Sequence, residues 1–297
     1  MSLSLPIRCS KRPGLAKKLL FSTLVIWSSL TIRARFSQIR KMPEPKVTSR
    51  AGSAKEASMV EKHIVSGFDK DLESIEALIM KMGGLVEASI ADATRSFETR
   101  DNPLAEEVIA RDKLIDQLEA SINAQAARVL ALRSPNAVDL RLILSVIKVS
   151  GNLERIGDYS KNMAKRTGVL LELPEIENAG SSLRRLGREV ELMLKDALDA
   201  YIQRDPNLAE QVILKDRDVD QLYNGMFRQF LTFMMEHPRN ITACMHLHFI
   251  AKNIERMGDH VTSICEQVVF LATGELPSDP RPKGDLTSLD PDISLRK

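Results

Sequence analysis

Aromatic side chains are scarce in this chain, 4% of 297 residues, and the scarcity excludes a good deal. Strands draw on aromatic and β-branched residues, whereas long stretches here are Leu, Ile, Ala, Met, Glu, Lys and Arg. That composition argues against a sandwich or barrel and for an all-α fold. Cysteine is equally sparse: Cys9, Cys244 and Cys265 have no CxxC spacing and form no disulfide framework, which fits a reducing compartment. No P-loop, G-x-S-x-G elbow or kinase signature occurs, so the sequence offers no catalytic constellation and no enzyme is expected. A basic body is missing too. The net charge of +2 conceals an asymmetry, because the first 41 residues hold nine Lys or Arg and no acid, leaving 33 basic against 40 acidic residues beyond them. A body of net charge −7, without helix-turn-helix or zinc-finger spacing, is a poor match to nucleic acid.

What is present begins with an apolar run at 19–32, LLFSTLVIWSSLTI, preceded by Arg8, Lys11, Arg12, Lys17 and Lys18. It is short for a membrane span, which needs about 20 residues, and it suits the apolar region of a signal peptide, yet no A-x-A site follows. Three readings stand: an uncleaved anchor, a signal peptide, or translated upstream sequence with the start at Met42 or Met59. The third is favoured because everything after Ser58 reads as a complete protein. Residues 1–58 are thus an extension and linker.

Beyond them the chain repeats itself. Residues 100–118, RDNPLAEEVIARDKLIDQL, match 204–222, RDPNLAEQVILKDRDVDQL, at an offset of 104; NLERIGD at 152–158 matches NIERMGD at 253–259 at an offset of 101. Matching over two separated blocks means duplication. Each copy predicts three helices, at about 61–98, 103–132 and 136–170, then 177–202, 206–235 and 239–272, with breaks at Pro103, Pro135, Pro174, Pro206 and Pro238. The expected architecture is two tandem three-helix bundles, 59–173 and 174–274, followed by a Pro- and Asp-rich tail, 275–297, with no periodic apolar face.

The repeat places four acids per copy: Asp112, Asp116, Glu154 and Asp158, then Asp216, Asp220, Glu255 and Asp259. A spacing of four puts each pair on one helical face. Folding the second and third helices about Pro135 brings Asp116 level with Glu154 and Asp112 level with Asp158. Asp112 continues the apolar stripe of Val108 and Ile115, and Asp116 sits at its edge. Such acids must be protonated, paired or bridged by cations. Arg155, Arg256, Arg111 and Lys215 point about 100° away on an ideal helix, so bound metal is the better neutraliser. All-oxygen ligation favours Mg or Mn, with Fe or Zn possible. A solvated acidic surface on a metal-free helical scaffold is the blander reading. A di-metal carboxylate enzyme is a third, although no Glu-x-x-His occurs. His260 beside Asp259, and the Cys244–His248 pair, are weaker ligand candidates.

The segments RDKLIDQL, ERIGD, KDRDVDQL, FLTFMMEHPRNI and ERMGDHVTSICE, with 63–93, resemble the PhoU family, the similarity running from about Met59 to Gly274. The resemblance implies paired three-helix bundles, often dimeric, whose E(D)-x-x-x-D(E) acids bind metal ions. Carried over, the ligands are Asp112, Asp116, Glu154, Asp158, Asp216, Asp220, Glu255 and Asp259. It further implies negative control of phosphate uptake and of phosphate-starvation genes through a sensor histidine kinase. Contact with the ATPase subunit of the phosphate ABC transporter, at the cytoplasmic face of the membrane, belongs to the same expectation.

Overall fold

The computed structural model describes residues 54–133, 135 and 137–277; the apolar run at 19–32, the linker as far as 53 and the tail from 278 lie outside them, while 54–58, read from sequence as linker, belong to the first helix. Six long helices make up the described chain: α1 (Ala54–Glu98), α2 (Asn102–Arg133), α3 (Ala137–Leu171), α4 (Ala179–Gln203), α5 (Pro206–Glu236) and α6 (Ile241–Thr273). A short 3₁₀ turn, Pro238–Asn240, joins the last two. Every predicted helix is present, and no strand occurs among the described residues. None of these helices is long and apolar enough to cross a membrane.

The duplicated Arg-Asp dipeptide ends one helix and starts the next. Arg100 and Arg204 both take left-handed backbone, φ 53° and 52°, a conformation that costs a non-glycine residue about 1 kcal/mol and turns the chain sharply. The aspartate that follows caps the next helix: Asp101 Oδ1 accepts from the Leu104 amide at 3.0 Å, and Asp205 Oδ1 accepts from Asn207 and Leu208 at 2.9 and 3.2 Å. Proline sits just inside each start, where its missing N–H is not needed.

Within a bundle the helices bury one stripe each. Ile79, Met82, Val86 and Ile90 of α1, Val108, Ile115 and Ile122 of α2 and Ile143, Val149, Leu153 and Ile156 of α3 belong to one buried core, all at most 1% exposed. Each such side chain contributes about 1.5–3 kcal/mol relative to leaving it in water. The second bundle repeats the pattern through Leu186, Val190, Val212, Val219, Ile254 and Val261.

The bundles join through equivalent helices. Helix α3 packs along α6, and α1 meets α4 at two points related by the duplication: a Cβ on Gly83 would come within 2.6 Å of Leu198 Cδ1, and one on Gly187 would strike Thr94 Cγ2. Gly83 and Gly187, like Thr94 and Leu198, are 104 residues apart. Small residues here set the distance between the two copies.

Candidate functional site

The acidic residues line the α2–α3 and α5–α6 hairpins. In the first bundle Asp112 is 5% exposed, which follows from its place in the stripe of Val108 and Ile115; Asp116, one turn on, is exposed, and Glu154 and Asp158 are half-buried. The four form one electrostatic group. Partial desolvation against the helix surface, and then the neighbouring Asp112 charge, pushes the Asp116 carboxyl above its ordinary value. Burial and then Asp158 do the same to Glu154.

The expectation that no side-chain cation reaches this group does not hold. Lys161 Nζ stands 2.6 Å from Asp112 Oδ2 and 2.5 Å from Asp158 Oδ1, joining α2 to α3. Burial works against its ammonium, but the bonds to Asp112 and Asp158 outweigh that and hold it charged beyond the usual lysine range. Arg155 also leans back, with Nε 3.4 Å from Glu154 Oε2 and a guanidinium nitrogen 3.8 Å from Asp158. Arg111 and Lys215 do point elsewhere, and to matching places: Arg111 pairs with Asp92 at 2.8 Å and Lys215 with Asp196 at 2.7 Å, each on the first helix of its bundle.

Lys161 was legible as the residue three after Asp158, a spacing at which helical side chains meet. What hid its reach to Asp112 was interhelical register. A fold symmetric about Pro135 sets Ile115 opposite Arg155, whereas a Cβ on Gly157 would lie 3.0 Å from Ile115 Cδ1. Helical side chains lean toward the helix N-terminus, so on antiparallel helices a residue of α2 meets residues farther along α3. The glycine of each E-R-x-G-D block is the contact that sequence reading missed. In the second bundle a Cβ on Gly258 would come within 2.9 Å of Asp216 Oδ1.

That second face is the more enclosed. Asp216, Asp220 and Glu255 are each 5% exposed and Asp259 is half-buried. Lys252 Nζ lies 2.9 Å from Glu255 Oε2. His260 does not turn to the acids; its Nδ1 is 2.8 Å from Asn152 Oδ1 across the α3–α6 seam. Cys244 is buried, and His248 sits among the rings of Tyr223, Phe227 and Phe249.

Among the described residues no three Asp, Glu, His or Cys side chains converge as a ready-made ligand set. The donor types present would suit a hard divalent cation at the second face, where Asp216, Asp220 and Glu255 are buried carboxylates and that of Asp216 lies beside Gly258. At the first face it does not fit as arranged, because Lys161 stands between Asp112 and Asp158.

A family model described as the PhoU domain matches residues 79–167 and again 183–268. The phosphate-specific transport system accessory protein PhoU homolog of Caulobacter vibrioides (strain NA1000 / CB15N) is 43% identical over 227 residues, 76% of this chain and 99% of that one. The phosphate-specific transport system accessory protein PhoU of Escherichia coli (strain K12) is 38% identical over 214 residues, 72% and 88% of the two chains. The crystal structure of PhoU from Pseudomonas aeruginosa is similar with a TM-score of 0.68 at 38% identity, over 70% of this chain and 100% of that one. For the phosphate transport system regulatory protein PhoU from Streptococcus pneumoniae the values are 0.65, 30%, 71% and 99%.

Proposed function

The chain belongs to the PhoU family, and from that premise we propose that it is an accessory regulator of a phosphate-specific transport system, acting as a brake on phosphate uptake and on phosphate-starvation genes. The observation that carries this reading is the doubled PhoU domain together with similarity over 76% of this chain and 99% of a relative bearing that name. In this reading the chain is an adaptor at the cytoplasmic face of the membrane, working as a dimer, and touches the transporter's ATPase subunit and a sensor histidine kinase. Duplication supports an adaptor, since it supplies two related surfaces. Exposed apolar residues recur at matched positions, Leu140 and Leu144 on α3 and Ile241 and Met245 on α6, and exposed apolar groups in register mark contact surfaces.

Metal binding is the second part of the proposal. Asp216, Asp220, Glu255 and Asp259 would hold a hard divalent cation such as Mg or Mn, with Fe or Zn as alternatives. A bound ion would offset their mutual repulsion. The chain's own residues do the rest: Gly258 admits the Asp216 carboxylate beside α6, and Lys252 holds Glu255 at its margin.

A strain lacking the gene tests the regulatory part. Phosphate-repressed genes are expected to be expressed in high phosphate and to return to repression when the intact chain is restored; unaltered repression in the deletion strain defeats the reading. Metal content after gentle purification tests the second part, which fails if no ion is retained and chelation leaves the unfolding temperature unchanged.

A further inference from the structure

Helices α3 and α6 run antiparallel along the seam between the bundles, as the Asn152–His260 and Arg166–His246 contacts show. The end of α6 therefore arrives beside the first turns of α3. A Cβ on Gly274 would strike Arg141 Nη1, and Arg141 Cζ would lie 3.3 Å from it. Gly274 takes left-handed backbone, φ 85°, and its amide caps α6 by donating to Phe270 O at 2.9 Å. The Glu275 amide donates to Thr273 Oγ1 at 3.2 Å. The chain that follows is thus tied to this end of α3.

Arg141 is an unusual neighbour for it. Among the described residues Arg141 forms no ion pair, and its Nε is buried with no hydrogen-bond partner. A donor withdrawn from water and left unmatched is destabilising until something accepts from it. Val138 stands one turn before Arg141 and Leu144 one turn after, with Leu140 a turn before Leu144, and all three are exposed. Lys148, also exposed, follows at the far end of the same stretch. Aliphatic side chains around an unmatched guanidinium call for an occupant that is both aliphatic and acidic.

Duplication shows that only one copy is arranged in this way. The apolar pair recurs as Ile241 and Met245, but the offset of 101 puts Thr242 at the position of Arg141 and Leu173 at that of Gly274. After Leu173 the chain passes directly into α4. After Gly274 it continues to Lys297, and residues 284–295, GDLTSLDPDISL, hold three aspartates, four aliphatic side chains and no Lys or Arg. Asp285 is eleven positions past Gly274, a span of at most about 36 Å; the stretch of α3 from Val138 to Lys148 is only about 15 Å long. A segment tethered so closely competes for that surface at an effective concentration in about the millimolar range. Pro291 and the missing helical period suit an extended occupant rather than a helix.

We propose that residues 284–295 of this same chain cover the α3 face, an aspartate accepting from Arg141 and the aliphatic side chains resting on Val138, Leu140 and Leu144. One of the two matched apolar surfaces is then closed by the tail, and that of Ile241 and Met245 stays open. A protein that uses the α3 surface must first displace the tail. This seating does not depend on the regulatory role, and either can fail without the other.

A nitroxide on Thr287→Cys in the full chain tests this, with Cys9→Ser removing the competing thiol, since Cys244 and Cys265 are buried. The methyl resonances of Leu140 and Leu144 are expected to be broadened by the spin label, and those of Ile241 and Met245 to keep their intensity. Arg141→Gln should reduce the broadening. Leu289→Ser combined with Ile293→Ser, both beyond the last helix, should abolish it. A mixture of spin-labelled chain with isotope-labelled chain lacking the nitroxide should show none. The proposal is overturned if Leu140 and Leu144 are not broadened, if Ile241 and Met245 are broadened equally, or if the double tail variant changes nothing. Broadening that appears in the mixture would give the face to the tail of a second copy, and overturns it too. Should Arg141→Gln not fold, the double tail variant decides the matter.

Discussion

One methyl group separates what α3 and α6 can tolerate at their closest approach to the preceding helix. At Gly157 a new Cβ would meet Ile115 Cδ1 at 3.0 Å, the free end of a side chain that can rotate. Alanine also favours the helix by about 1 kcal/mol over glycine. Gly157→Ala is therefore expected to change stability by no more than about 1 kcal/mol. At Gly258 the atom in the way is Asp216 Oδ1, at 2.9 Å, on a side chain 5% exposed. Moving a buried carboxylate disturbs its partners as well as its packing, so Gly258→Ala is expected to cost about 1–3 kcal/mol. Urea unfolding of the two variants side by side checks the ordering, and equal losses would show that the carboxylate is free to give way. The acids of the two bundles also differ in burial although their motifs match: Asp116 is exposed where Asp220 is 5% exposed.

Helices α1 and α4 meet at Gly83 and Gly187, and that closeness has an electrostatic consequence. Glu87, one turn on from Gly83, is half-buried. Burial, then the nearby Glu191 carboxylate, raises its pKa above the ordinary value, with Lys195 opposing them and Asp199 adding to the rise. The folded protein thus holds this proton more tightly than the unfolded chain does. Ionised Glu87 costs stability at neutral pH, and the cost is relieved as pH falls from the raised folded value toward the ordinary glutamate value of about 4.3. Glu87→Gln should accordingly raise the unfolding midpoint at pH 7. Its advantage should shrink as pH falls through that window and vanish below it. Midpoints measured across the acid range check the sign; a gain that persists below the window would assign the effect to packing.

For the whole molecule, α6 is the helix on which most depends. It buries sixteen residues and packs against α3, α4 and α5, so one of its sides is covered only by the other bundle. The seam carries polar contacts besides, including His260 with Asn152 at 2.8 Å and Arg166 over the Phe249 ring at 4.4 Å. A fragment holding the second bundle alone, residues 174–297, exposes that side of α6. It is expected to self-associate or to unfold without a cooperative transition. Sedimentation together with thermal circular dichroism tests this, and a monomer unfolding as sharply as the full chain would show that each copy is independently stable.

The six helices and their ends were readable from the chain alone, because proline, capping aspartate and apolar spacing act within a turn or two of where they stand. The duplication was readable for the same reason: it is a property of the string. Asp112 could be placed in the buried stripe and Asp116 at its edge by counting in threes and fours. Tertiary structure alone decided what faces what across a hairpin. Lys161 reaches Asp112, Gly157 receives Ile115 and His260 turns to Asn152 because side chains lean along their helices and the helices slide to fit their smallest residues. Neither displacement is encoded in a count from the turn. The acids could therefore be gathered from sequence, while the ammonium standing among four of them could be found only in the fold.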